Sequence, residues 1–589
     1  MTAKATPAPR RPAPAGRRPR ALLVVALSLA AACRREPPGG AAPDRAGAPV
    51  PPRGLAPAEP GGAMPADAPP PLDAAAPSPL GPAPIDTAAP SPLGPAPIDE
   101  AAPSPLGRAP IDEAASGGLP RAEGAAPPPG EGEAGPGRVY AKTRYVWVRY
   151  EPHYKAGWTG FLWLGGSAKL REPSPVRVGA DCAWYAIEPR GYVCVDERGA
   201  TLDPDDPVLR ALRPFAPRLD RASPYRYGES RDAPRYRALP TPAEQREREG
   251  DVGARLARLS SLGAGPAASG PWKGIDPTPA PEGPPPLPSL PPGLQQDRDW
   301  LTELSTVSWS HEALFEGRSW LLTGDFKWVP KDRVAPYPPD GFRGVDLVDE
   351  AALPLAFFRG RDRPKYRRRA GGGFERTGES WPRLGRVGLT GASEREGDET
   401  FLETKDGGLY VLASDAVVPE PRALTPWGAK VGVPDLTGRG PAGRRTWIEV
   451  SIEGGWLLAY EGARPVYATL VSTGRGGKPK PGRPTLETAS TPTGHFSING
   501  KFATATMATK HEFVHSDVPW SLTFEGPYAI HAAYWHDRWG EKMSAGCVNV
   551  SVEDGRWLFH WAEPTLPEGW HGVRWEPSEG PTTQLFVRP

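Results

Sequence analysis

The chain has 589 residues, of which 80 are proline, nearly three times the ordinary share of about 5%. Much of its length is therefore not packed core. Its 70 basic and 69 acidic residues nearly cancel, which excludes a global field directed at nucleic acid or an anionic membrane surface, and local runs such as RDRPKYRRRAGGG from Arg361 read as solvated loops.

Residues 1–33 place Arg10, Arg11, Arg17, Arg18 and Arg20 ahead of the apolar run ALLVVALSLAAA. That run is too short to span a bilayer as a permanent helix and reads as a secretory signal. Ala30, Ala31 and Ala32 lead into Cys33, a pattern that resembles a lipoprotein signal and implies a lipidated mature N-terminus. Leu29 stands one place too far upstream for a strict match, so cleavage by ordinary signal peptidase is the alternative; a twin-arginine reading of RRPRALL lacks the flanking residues such signals prefer. The expected location is the periplasm, with the anchor in the outer membrane. Export makes cysteine counting informative. Cys182 and Cys194 are close enough in sequence to close a small disulfide loop, which leaves Cys547 over, either as a reactive thiol or as an inert buried one.

Residues 34–137 are Pro, Ala and Gly with a 13-residue repeat, TAAPSPLGPAPID, whose isoleucine recurs at Ile85, Ile98 and Ile111. Nothing there has the apolar periodicity of a core, so the segment is a linker with a reach of about 320 Å as polyproline II or about 55 Å as coil. Residues 138–215 switch to short β-rich segments, VYAKTRYVWVRYE, GWTGFLWLGG, CAWYAIEP and GYVCVDE, and predict a small all-β domain; FLWLGGSAKLRE and the WYAI…GYVCV hairpin look like bacterial SH3-type modules. Residues 216–299 read as linker with one short helix, capped by Thr241 and Glu244 and ended by Gly263, and closed by the stiff spacer PEGPPPLPSLPPG. Residues 300–425 form a second mainly β region, rich in Trp and Phe, that names no activity.

From Arg444 to the C-terminus the alternation of TWIEVSIEGGWLLAYEGARPVYATLVSTG predicts half-buried strands. TPTGHFSI (Thr491–Ile498), an IH strand end at His531, and SAGC followed by Asn549 come after it in that order. These features resemble the L,D-transpeptidases of the YkuD type, cysteine enzymes that remodel bacterial peptidoglycan. The resemblance covers residues 444–589 and implies a β-sandwich-like catalytic domain at the end of a mainly β, multidomain chain.

Acyl transfer from an amide needs an activated nucleophile, a base and donors for the oxyanion. The resemblance implies Cys547 as nucleophile and His531 as base, the histidine oriented through the carbonyl of Ala532. Backbone N–H groups of Ala545, Gly546 and Cys547 are expected to form the oxyanion hole. Ser544, Asn549, Tyr534, Trp535 and His536 are expected to contact substrate or shape the cleft, Asn549 by organising the turn after the nucleophile. Many members have SHGC where this chain has SAGC, so Ala545 removes a side chain that could stabilise charge. No cofactor and no metal are expected. HEFVH, His511–His515, matches a zinc motif in which two histidines share a helix face, but Pro519 would stop that helix almost at once, and the family reading makes the segment a strand. The expected partners are peptidoglycan stem peptides and, through Cys33, a membrane. The rival is a non-catalytic wall-binding lipoprotein whose transpeptidase domain has retired.

Overall fold

The computed structural model describes residues 137–589, apart from 198, 262–282, 284, 293, 433–444 and 509–513. Cys33, the repeat of the 34–137 linker and His511 of HEFVH lie outside the described residues.

The alternating C-terminal stretch forms three antiparallel strands, Thr446–Ser451, Trp456–Glu461 and Arg464–Leu470. Val345–Asp346, Gln584–Arg588 and Gly494–Ser497 complete their sheet of six. Ile448, Val450 and Leu457 on its inner face share one core with Leu522, Ile530 and Val548 of a second sheet and with Leu558 of the helix Val552–Trp561. Alternation alone predicts one wet face, yet all six residues of Thr446–Ser451 are buried. Phe342, Leu355, Phe357 and Val417, all from the region 300–425, pack with Trp447, Leu458 and Tyr460 in a second core. That region is thus partly a cover for the C-terminal sheet.

The second sheet crosses a boundary drawn from sequence. Its ten strands run in the order Val548–Val550, Tyr528–Ala532, Val514–Glu525, Gly500–Ala508, Gly572–Arg574, Trp158–Leu162, Val146–Arg149, Tyr192–Val195, Ala183–Ala186 and Arg177–Val178. The first five belong to the C-terminal domain and the last five to the region 138–215. At the junction Phe161 lies opposite Gly572, where a Cβ would come 2.4 Å from Phe161 Cε1. Glycine at 572 is what lets an aromatic strand add to the edge of the C-terminal sheet. At the hairpin of Ala183–Ala186 and Tyr192–Val195, Cys182 and Cys194 are joined by a disulfide with Cα atoms 5.7 Å apart.

Residues 216–299 are not the linker expected. Strand Arg226–Ser230 sits inside a five-stranded sheet between Thr306–Phe315 and Val334–Pro336, and Ala233–Pro234 pairs with Trp300–Leu301. The Thr241–Glu244 capping box is present, but its helix Pro242–Glu249 stops at Gly250, and a second helix, Val252–Ser261, follows. The proline spacer also differs from expectation. Pro286, Ser289 and Pro292 are exposed while Pro285, Leu287, Pro288, Leu290 and Pro291 are half-buried. Exposure every third residue is the signature of a polyproline II helix with one edge in water and two against protein. Leu287 and Leu290 pack against a cluster containing Phe215, Trp320 and Phe326, so tertiary contact converts a spacer into part of the wall.

Four segments meet at Asp517. Its carboxylate takes an ion pair from Arg144 at 2.6 Å and a hydrogen bond from Ser308 Oγ at 2.6 Å. The Tyr227 hydroxyl donates to its carbonyl at 2.9 Å, and its N–H donates to Thr506 Oγ1 at 3.2 Å. Both partners of the ion pair are 3% exposed at the side chain, and Asp517 raises the Arg144 guanidinium pKa against the opposing effect of burial. Removing one partner of such a pair leaves a buried charge uncompensated. Asp517→Asn is expected to lower the unfolding free energy of the full chain by about 3–5 kcal/mol in urea titrations; a loss below about 1 kcal/mol would show that the pair holds nothing together.

Candidate active site

The strands Tyr528–Ala532 and Val548–Val550 are parallel neighbours, with His531 opposite Asn549. Cys547 immediately precedes the second of them, buried at 3% exposure and outside any disulfide. His531 is 4% exposed. Its Nδ1 lies 3.2 Å from the Ala532 carbonyl, a contact that only an N–H satisfies. The proton therefore sits on Nδ1 and the lone pair on Nε2, where it faces the Asn549 side-chain nitrogen at 2.9 Å. Asn549 Oδ1 in turn lies 3.3 Å from His536 Nε2. The contact of His531 with the Ala532 carbonyl is the one the resemblance implies; the direct contact of Asn549 with His531 was not legible in sequence.

The turn before Cys547 is built by Ser544. Its hydroxyl donates to the Cys547 carbonyl at 2.5 Å and accepts from the Gly546 N–H at 3.0 Å. Met543 and Ser544 both donate their N–H groups to the Thr473 carbonyl, at 2.9 and 3.0 Å. The Gly546 N–H is thus already engaged, which corrects its expected role as an oxyanion donor; the Ala545 N–H makes no hydrogen bond among the described residues. Gly546 has φ +139°, and a Cβ there would come 2.6 Å from Tyr528 Cε1 and 3.1 Å from the Ser490 carbonyl. Tyr528 is a site residue that motif reading missed. Its hydroxyl donates to Thr485 Oγ1 at 2.5 Å, and its phenol pKa is raised by burial, with Cys547 adding to the rise.

Residues 445–570 match the family model described as the L,D-transpeptidase catalytic domain, YkuD. The C-terminal region is an L,D-transpeptidase catalytic domain. Among solved structures the chain is similar to an L,D-transpeptidase from Xylanimonas cellulosilytica at 23% identity and TM-score 0.16, covering 24% of this chain and 60% of that one. It is similar to a mutant L,D-transpeptidase of Enterococcus faecium at 20% identity and TM-score 0.17, covering 24% and 50%. A third, from Mycobacterium smegmatis, shows 14% identity and TM-score 0.19 over 39% of this chain and 77% of that one. The chain spans less than two thirds of the first two. No curated protein matches it.

In this transpeptidase domain the loop from Ala533 to Gly546, between His531 and Cys547, is held from outside. The Trp539 indole donates to Asp340 Oδ2 at 2.7 Å, Arg359 donates to the Gly540 carbonyl at 2.8 Å, and Arg383 pairs with Asp537 at 3.0 Å. Tyr534, expected beside substrate, is instead 7% exposed, stacked on Tyr227 at 3.8 Å, with its hydroxyl donated to the Ser516 carbonyl and 2.6 Å from Thr306 Oγ1. It is an anchor for the loop. Trp535 remains at the site, 5.7 Å from the His531 ring and stacked on His515 at 4.1 Å. His515 belongs to the strand Val514–Glu525, so it has no helical partner of the kind the zinc motif requires. Among the described residues no group of three or more His, Cys, Asp or Glu could hold a metal ion.

Burial holds His531 neutral, with its pKa driven down to about 3, the nearby His515 and His536 adding to the fall against the Ala532 carbonyl. His571, 2% exposed, is also driven to about 3 by burial and by the Arg144 charge. Between pH 6.5 and about 3 the unfolded chain binds protons at both positions and the folded chain does not. Unfolding free energy should therefore fall with pH through this window, by up to about 1.4 kcal/mol per pH unit for each histidine. Urea titrations at pH 7.5 and pH 5 check this, and equal stability at the two would contradict it. Gly546→Ala forces Tyr528 and the nucleophile turn apart; labelling of Cys547 by iodoacetamide in the folded chain should change severalfold while the disulfide and secondary structure persist.

Proposed function

We propose that the chain is a peptidoglycan L,D-transpeptidase that uses Cys547 as nucleophile. The observation that carries the reading is the placement of Cys547 at the start of the strand parallel to that of a buried, neutral, carbonyl-oriented His531. Neutral imidazole is the form that accepts a thiol proton. In this reading the thiol proton passes to His531 Nε2, which exchanges its Asn549 contact for the sulfur. The thiolate attacks the carbonyl preceding the terminal D-alanine of a tetrapeptide stem, and the oxyanion is met by the Ala545 N–H. The C–N bond breaks, His531 protonates the departing D-alanine amine, and a thioester remains. An amine then attacks the thioester, His531 takes its proton, and a new amide forms as the thiol is restored.

The leader and Cys33 support export to the periplasm and a lipid anchor, from which the linker would carry the domain to the wall. Ala545 in place of the frequent histidine favours a slower enzyme over an inert one, since its backbone N–H is kept.

Incubating the full chain with a carbapenem and following intact mass tests the reading. A single adduct is expected, absent in Cys547→Ala and formed at least about a hundredfold more slowly in His531→Ala. A folded chain that stays unmodified while still binding peptidoglycan would establish the retired, wall-binding alternative instead.

A further inference from the structure

Four hydrogen bonds run in one direction through the site, from the Arg538 N–H to the Ala532 carbonyl. At one end His531 Nδ1 donates to the Ala532 carbonyl, which leaves the lone pair on Nε2. At the other the Arg538 N–H donates to His536 Nδ1 at 3.3 Å, which puts the His536 proton on Nε2. Burial keeps both rings neutral, driving the pKa down to about 3 at His531 and to about 4 at His536. The Asn549 amide stands between them, its nitrogen 2.9 Å from His531 Nε2 and its oxygen 3.3 Å from His536 Nε2. Two backbone groups thus fix two tautomers, and the tautomers fix the amide: its N–H meets the lone pair of His531 and its oxygen meets the N–H of His536.

The surroundings leave the amide one way to respond. The Asn549 backbone is held on both sides by Ser472, its N–H donating to the Ser472 carbonyl and its carbonyl accepting from the Ser472 N–H, each at 2.8 Å. His536 is half-buried, its ring 4.6 Å from that of Trp539, whose indole is tied to Asp340. Only the side-chain amide is free to turn. When His531 takes a proton, its new Nε2–H faces the amide N–H, donor against donor. Relief requires the amide to turn its oxygen to His531, and that strips His536 Nε2–H of its acceptor. A hydrogen bond of this kind is worth about a two- to tenfold bias in an equilibrium.

We infer that His536 is a positioning residue that latches the base: it holds the Asn549 N–H on the His531 lone pair and so opposes transfer of the Cys547 proton to Nε2. This rests on the transpeptidase reading of His531 as base. His536 acts here through Asn549, without touching the reacting atoms. The proton balance is simple. With the amide as found, the proton stays on sulfur; with the amide turned, it moves to Nε2, and the thiolate faces an imidazolium whose N–H the Asn549 oxygen accepts. A thiol held protonated resists oxidation better than a thiolate, which suits the exported chain of the reading above.

The test follows iodoacetamide labelling of Cys547 in the full chain at pH 7.5, with circular dichroism on each variant. His536→Leu, which removes the donor, should label about two- to tenfold faster than wild type. His536→Gln places a side-chain N–H where Nε2–H stood and should bring the rate back to within about twofold of wild type. Asn549→Ala uncovers the lone pair outright; it should label at least as fast as His536→Leu, and adding His536→Leu to it should change nothing further, since the two act as one unit. The latch is overturned if His536→Leu labels no faster than wild type, if His536→Gln matches His536→Leu, or if the two substitutions add in full. Should Asn549→Ala fail to fold, His536→Leu against His536→Gln decides alone. Carbapenem acylation of the same samples separates the latch from the reading it rests on. An acylated wild type whose labelling His536→Leu leaves unchanged removes the latch and keeps the enzyme, whereas faster labelling in His536→Leu with no acylation in any sample keeps the latch and removes the enzyme.

Discussion

The buried pair between Arg144 and Asp517 is the constraint on which the arrangement of segments depends. A carboxylate so enclosed is tolerable only if every lone pair finds a donor, and here the donors come from different parts of the chain: Arg144 from the upstream module and Ser308 from the five-stranded sheet, with Tyr227 holding the adjoining carbonyl. Asp517 itself has φ +43° in the strand Val514–Glu525, whose pairing slips beside it. That irregularity turns the carboxylate toward the two added segments, and a regular strand would not offer it to both.

The same packing governs the site. The loop joining His531 to Cys547 has little apolar content between Asp537 and Met543 apart from Trp539, and would be mobile if only its ends were fixed. Asp340, Arg359 and Arg383 hold it through an indole N–H, a carbonyl and an exposed carboxylate, while Tyr534 fastens its beginning under Tyr227. Burial of Asp340 raises its carboxyl pKa to about 6, so the hold on Trp539 involves a group poised to change charge near neutrality. Regions outside the matched domain thereby decide how the loop between His531 and Cys547 is held.

Much of the candidate site could be read from residues. His531, Cys547, Ala532 and Ser544 occupy positions set by local rules: a strand end, a tight turn through glycine, a carbonyl one residue after the base. Other parts could not be read. Asn549 touches His531 because residues 18 apart in sequence face each other on two parallel strands, and parallel register has no local signature. The Gly546 N–H is taken by a side chain two residues back, an outcome of turn geometry that composition does not reveal. Tyr534 reads as an exposed cleft aromatic until Tyr227 and Thr306, from a stretch that reads partly as linker, close over it.

The sequence by itself determined the transpeptidase character of the C-terminal region, the β character of the described regions, the capping box at Thr241 and the pairing of Cys182 with Cys194. Each of these depends on residues near one another in the chain, where spacing translates directly into geometry. Only the tertiary structure decided that 138–215 extends the sheet of the C-terminal domain, that Arg226–Ser230 is an interior strand, and that residues 285–292 lie against a core. Strand addition and burial depend on which edges and faces meet. That choice is made by non-local pairing, by the room that Gly572 leaves for Phe161, and by a buried charge that must be matched across segments.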